Sequence, residues 1–152
     1  MRTIRMPSGV AAMISIRKPH TDNIFIKKKG IEWRTKPLPL GKYFCYESKS
    51  KGGIGKVIGD FLVWRVEKFD NVDTIPEFYI DLGCVSREHL KTYSAGKPLY
   101  ANSLAFARRF AKPKELNEFV HASAKDVKWY EKPIKQIKKP PQSYCFVYWR
   151  KK

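Results

Sequence analysis

The chain has 152 residues, 43% of them hydrophobic and 14% aromatic, which is enough for the core of one domain and excludes disorder along its whole length. Its formal net charge of +17 exceeds what solubility requires and predicts a polyanionic partner. No stretch approaches the ~20 apolar residues of a spanning helix, so nucleic acid is expected rather than membrane. Val10–Ile16 is too short and too closely followed by Arg17-Lys18 to read as a signal peptide.

The charge is unevenly placed. Residues 1–65 carry 14 Lys/Arg against 4 Asp/Glu, residues 66–124 carry 8 of each, and residues 125–152 carry 9 against 2. If the two basic ends meet in the fold, they form one basic surface. Cys45, Cys84 and Cys145 are odd in number and widely spaced, which predicts free thiols in a reducing, cytoplasmic setting. His20, His89 and His121 are scattered, and neither residue type shows metal-ligand spacing. No cofactor is expected, and a monomer is.

In chain order, residues 1–9 read as a loose basic arm, followed by one domain over residues 10–152. Ala11–Arg17 is predicted as a strand that Pro19 ends, with Thr21 or Asp22 as N-cap of a short helix reaching Lys28. Ile24 and Phe25 point inward, and Gly30 supplies the positive φ of the helix end. Ile31–Thr35 is a second strand, Pro37–Gly41 a turn, and Lys42–Glu47 a third strand. Ser48–Gly55 is a polar, glycine-rich loop whose spacing matches no phosphate-binding motif. Val57–Phe69 is a long fourth strand. Thr74–Leu82 and Ser86–Tyr93 form a helical insert (about 71–96), with Ser86 as cap, Leu90 and Tyr93 as apolar stripe and Gly96 as stop. Leu99–Phe110 reads mainly as strand, Pro113–Phe119 as a turn of helix, Lys125–Lys139 as an irregular basic segment and Ser143–Trp149 as a final strand. Trp33, Phe61, Trp64 and Phe146 are expected in the core. Tyr100, Trp129, Tyr130 and Tyr144 are the candidates for stacking on an unpaired base.

The stretch Lys27-Lys28-Lys29-Gly30-Ile31-Glu32-Trp33-Arg34 carries the sharpest functional signal. Side chains alternate on a strand, so Ile31 and Trp33 share one face while Glu32 and Arg34 share the other. A carboxylate and a guanidinium then point together into whatever lies opposite. Lys29 and Arg34 could hold a phosphate or a base edge, the guanidinium as a planar two-pronged donor. Glu32 could accept from a base amine, act as general base, or be a structural partner of Arg34.

Ile14-Ser15-Ile16-Arg17-Lys18-Pro19, the helix after it, and Lys29-x-x-Glu32-x-Arg34 resemble the signature of ASCH domains, relatives of the PUA fold. Tyr46-Glu47-Ser48, Val57-Ile58-Gly59-Asp60-Phe61 and Pro140-Pro141-Gln142-Ser143-Tyr144 resemble later segments of small bacterial and phage-borne members, so the resemblance spans nearly the whole domain. It implies an α+β fold, a PUA-like mixed β-barrel of five to seven strands with flanking short helices. It also implies a cleft lined by the Lys-x-x-Glu-x-Arg residues.

Some members cleave RNA and others deacylate modified cytidine. The latter have Thr where this chain has Glu32, which argues against that reaction here. RNA is therefore the expected partner, with a basic cleft holding a nucleotide. The candidate binding residues are Arg17, Lys18, Lys28, Lys29, Glu32, Arg34, Ser48, Lys51, Lys56, Trp129, Tyr130, Gln142, Ser143 and Tyr144. The alternative is an enzyme, either a metal-assisted ribonuclease with a divalent cation or a hydrolase of a modified nucleoside. Lys29, Glu32, Tyr46, Lys56 and Ser143 would then be its catalytic candidates.

Overall fold

Among the described residues, seven strands form one mixed sheet in the order β2-β5-β4-β3-β1-β7-β6. They are β1 (Val10–Ile16), β2 (Ile31–Arg34), β3 (Gly41–Glu47), β4 (Lys56–Phe69), β5 (Leu99–Lys114), β6 (Val120–His121) and β7 (Tyr144–Tyr148). Among the described residues three short helices flank them, α1 (His20–Phe25), α2 (Glu77–Gly83) and α3 (Arg87–Ser94), giving an α+β, barrel-like architecture. This computed structural model describes residues 4–122 and 136–148.

Alternation along the strands builds two cores. Ala12, Ile14 and Ile16 of β1 join Tyr43 and Cys45 of β3 and Phe61 and Val63 of β4 on one side. Ala11 and Met13 join Phe44 and Tyr46 on the other, covered by Phe119, Ile137 and Val147. β1 runs parallel to β3, and both faces of the pair are dry, which is why these strands read as unbroken apolar runs. Burial pushes the Cys45 thiol well up, so it behaves as a small apolar side chain. A third cluster lies under α2 and α3, where Ile31 and Trp33 of β2 meet Ile75, Ile80 and Leu90.

β2 is an edge strand. Among the described residues it pairs only with β5, with Trp33 opposite Ala101 and Glu32 opposite Asn102. β1 pairs only with β3 and β7. β1 therefore has no free edge to offer β2, and among the described residues the seam between them is crossed by side chains rather than by a ladder. β1 and β7 are antiparallel neighbours, with Val10 opposite Tyr148.

Several expectations are corrected. Residues 4–6 are tied down rather than loose: Met6 packs into the first core, and its N–H donates to the Leu40 carbonyl at 2.9 Å. Neither Thr21 nor Asp22 caps α1. Pro19 stands at its N-terminus, and the Thr21 hydroxyl instead donates to the buried Glu47 carboxylate at 2.6 Å. The left-handed residue after α1 is Lys27 (φ 66°), not Gly30, so the helix stops at Phe25. The first helix of the insert starts only at Glu77, after a 3-10 turn over Val72–Thr74. Ser86 does cap α3, accepting from the His89 N–H at 3.0 Å. β5 continues through Pro113 to Lys114, leaving only Leu116–Glu118 as a 3-10 turn. Trp64 is 53% exposed, because a register shift between Val63 and Arg65 falls on it where β4 pairs with β5. Phe146 is half-buried against the first core, while Trp33 and Phe61 are in the core as expected.

Phe61 stacks on Tyr43 at 5.9 Å between centroids, with 10° between planes. Phe61→Ala should lower stability by about 3–5 kcal/mol, and Trp64→Ala by less than about 1 kcal/mol. Urea unfolding midpoints at unchanged slope are the measurement.

Candidate functional site

The seam between β2 and β1 opens into a cleft of about 620 Å³. Ser15, Ile16 and Arg17 line it from the end of β1, and Glu32, Trp33 and Arg34 from β2. Tyr46 and Ser48 contribute from the end of β3, and Val85, His89, Leu90 and Tyr93 from α3 and the turn before it. Pro140, Pro141 and Gln142 complete it from the strap preceding β7. The strap is anchored to β1, since the Ser15 hydroxyl donates to the Pro141 carbonyl at 2.6 Å.

Glu32 organises the floor. It is 6% exposed, and both carboxylate oxygens are engaged. The Arg34 guanidinium sits 3.0 Å from Oε2, and the Lys29 ammonium 3.5 Å from Oε1. Lys29 is itself 3% exposed and donates to the Gly83 carbonyl at the end of α2. Arg34 reaches across the seam as well, donating to the Ser15 carbonyl at 3.2 Å and to Ser143 Oγ at 3.3 Å. One side chain of β2 thereby holds β1 and the strap where no ladder does. The Asn102 amide secures the strand from behind, donating to the Glu32 carbonyl at 3.0 Å and accepting from the Leu38 N–H at 3.0 Å.

Burial alone would raise the Glu32 carboxyl, but the charges of Lys29 and Arg34 and the Arg34 hydrogen bond outweigh it and hold it below its ordinary 4.5. The carboxylate is therefore ionised at neutral pH and a poor proton acceptor. His20, on α1, goes the other way. Burial, with the Lys29 charge next, lowers it below 6.5, so its ring is neutral at pH 7. Its Nδ1 is buried without a hydrogen-bond partner among the described residues.

Gly83 lets α2 approach β2. A Cβ there would fall 2.2 Å from Trp33 Nε1, so any side chain would collide with the indole that floors the third core.

Of the residues expected from sequence, Arg17, Lys29, Glu32, Arg34, Tyr46, Ser48 and Gln142 share the cleft. Ser143 touches it through Arg34. Lys18 and Lys51 line an adjoining depression. Lys28 is exposed and lines neither, its carbonyl accepting from the Cys84 thiol at 3.6 Å. Lys56 lies on β4, paired with Glu115 at 2.9 Å. Tyr144 is half-buried and packs edge-on to Tyr43, and Tyr100 lies against the first core, so neither ring is a free stacking platform. Trp129 and Tyr130 lie outside the described residues.

Sequence reasoning missed His20, His89, Val85 and the cleft-facing role of Tyr93, which is 44% exposed. A signal existed for two of them. His89 and Tyr93 are four apart in a helix capped by Ser86, so they share one face. Among the described residues no three His, Cys, Asp or Glu side chains gather to hold a metal ion, and no helix is long and apolar enough to cross a membrane.

Glu32→Gln should destabilise the fold by about 3–5 kcal/mol, because Lys29 is left buried and uncompensated. In the native chain the Glu32 contribution is complete above 4.5 and is lost as pH falls through the lower folded-state value. Acid unfolding of the variant should lack that component. Gly83→Ala should cost about 1–3 kcal/mol through overpacking. Urea unfolding across a pH series measures both.

No family model matches the chain, and no curated protein does. Solved structures do match. The ASCH protein of Zymomonas mobilis superposes with a TM-score of 0.66 at 23% identity, covering 93% of this chain and 88% of that one. A serine-to-alanine mutant of that protein gives a TM-score of 0.67 at 22% identity, over 96% and 92% of the two chains. A tyrosine-to-phenylalanine mutant gives 0.66 at 22% identity, over 93% and 91%. At this identity the likeness speaks for architecture, and on that evidence the chain has the ASCH-domain fold.

Proposed function

We propose that the chain binds RNA, with the cleft at the β2–β1 seam holding one nucleotide. The observation that carries this reading is the pairing of two unlike walls in one cleft. Arg17 brings a guanidinium suited to phosphate, while Val85 and the exposed ring of Tyr93 offer an apolar face suited to a base. A volume of about 620 Å³ is ample for a nucleotide. The net charge of +17 supports a polyanion, and the ASCH-domain fold is consistent with the reading.

Glu32 enters as the anchor of Lys29 and Arg34 rather than as a base-reading acceptor, since both its oxygens are engaged. The same engagement weighs against a hydrolase in which Glu32 takes a proton. Should the cleft carry chemistry, the neutral ring of His20 is the group suited to that role.

Fluorescence anisotropy with labelled single-stranded RNA over about 50–200 mM salt separates the two walls. Arg17→Ala should weaken binding and flatten the salt slope by ~0.7, the loss of one phosphate contact to a single strand. Tyr93→Ala should cost about 1–3 kcal/mol and leave the slope unchanged, as loss of stacking does. Binding that is flat in salt, or indifferent to both changes, contradicts the proposal.

A further inference from the structure

The cleft does not end at Arg17. A second depression of about 610 Å³ adjoins it, and Arg17, His20, Val85 and His89 line both. These four form a ridge with a basin on either side. The basins differ in chemistry. The first has the apolar wall of Tyr93, Pro140 and Pro141. The second is polar, with Lys18, Asp22, Lys51 and Ser86 among its lining. Lys18 there is neutralised by Asp22 at 3.0 Å and by Glu47 at 3.6 Å. Arg17 and Lys51 form no salt bridge among the described residues, so their charge is available to a ligand. Lys51 is also held in the left-handed region (φ 57°), a conformation that costs a non-glycine residue about 1–2 kcal/mol.

We infer that the ligand is at least a dinucleotide, a single RNA strand whose successive nucleotides occupy the two basins with the linking phosphodiester over the Arg17–His20–His89 ridge. This inference rests on the RNA-binding reading above and names its substrate class. A free nucleoside or mononucleotide fills one basin and leaves the cations of the other unused. A phosphodiester strand supplies the negative charge that Arg17 and Lys51 call for, and spans the ridge. The base sits in the apolar basin and the neighbouring sugar-phosphate in the polar one.

The test is a length series: uridine 5′-monophosphate, a uridine dinucleotide and a uridine hexanucleotide, each competing against labelled RNA. The dinucleotide should bind at least about tenfold more tightly than the mononucleotide, because the second contact is made within one ligand. Lys51→Ala should weaken the dinucleotide and leave the mononucleotide unchanged, whereas Tyr93→Ala should weaken both. Lys51→Gly, which relaxes the backbone while removing the ammonium, should behave like Lys51→Ala. Equal affinity for one and two nucleotides, or a Lys51→Ala effect equal on both, overturns the two-basin inference while the RNA-binding reading stands. Absence of binding at every length overturns both.

Discussion

The buried carboxylate of Glu32 is the constraint on which the site depends. The edge strands of the sheet are β2 and β6, while β1 is paired on both sides, so no backbone ladder joins β2 to β1 among the described residues. Arg34 crosses that gap to the Ser15 carbonyl, and it is held in place by Glu32, which also compensates the buried ammonium of Lys29. Breaking such an arrangement by removing one partner costs more than the arrangement contributes, because a charge is left dry. The trio thus ties β2 to the end of β1 and shapes the floor of the cleft at once. The opening exists because the seam is bridged by side chains and not zipped by backbone.

This arrangement also sorts the charges. Within the floor, the carboxylate offsets one of the two cations, and its ionisation is fixed by them. The cations that remain available lie at the rim, on Arg17 and, beyond the ridge, on Lys51. The α2–α3 insert supplies what the barrel lacks, an apolar wall with one exposed aromatic ring. It docks closely because Gly83 leaves room for Trp33 and because its carbonyl caps Lys29. Packing of the insert and electrostatics of the floor are therefore one structural unit.

Much of this was legible in the residues. The alternation Ile31, Glu32, Trp33, Arg34 fixed which side chains face the third core and which face the cleft, because a strand admits only two faces. Ser86 capped its helix for the local reason that made it recognisable. The failures share a cause, which is that local pattern does not encode docking. His20 sits on a short helix set by the packing of Ile24 in the first core, and His89 and Tyr93 on one set by Leu90 against Ile31 and Trp33. Thr21 looked like a cap until the fold offered it the buried Glu47. Trp64 looked like core because nothing local announces the register shift that turns it outward. Lys56 looked like part of the loop, and the length of β4 carries it to Glu115 instead.

A crystal structure of the protein with a short single-stranded RNA bound tests the central claim most directly. The account predicts a phosphate within hydrogen-bond distance of Arg17, a base against the ring of Tyr93, and the Glu32 contacts to Lys29 and Arg34 unchanged. An RNA lying elsewhere on the basic surface, with the seam cleft empty, would contradict it.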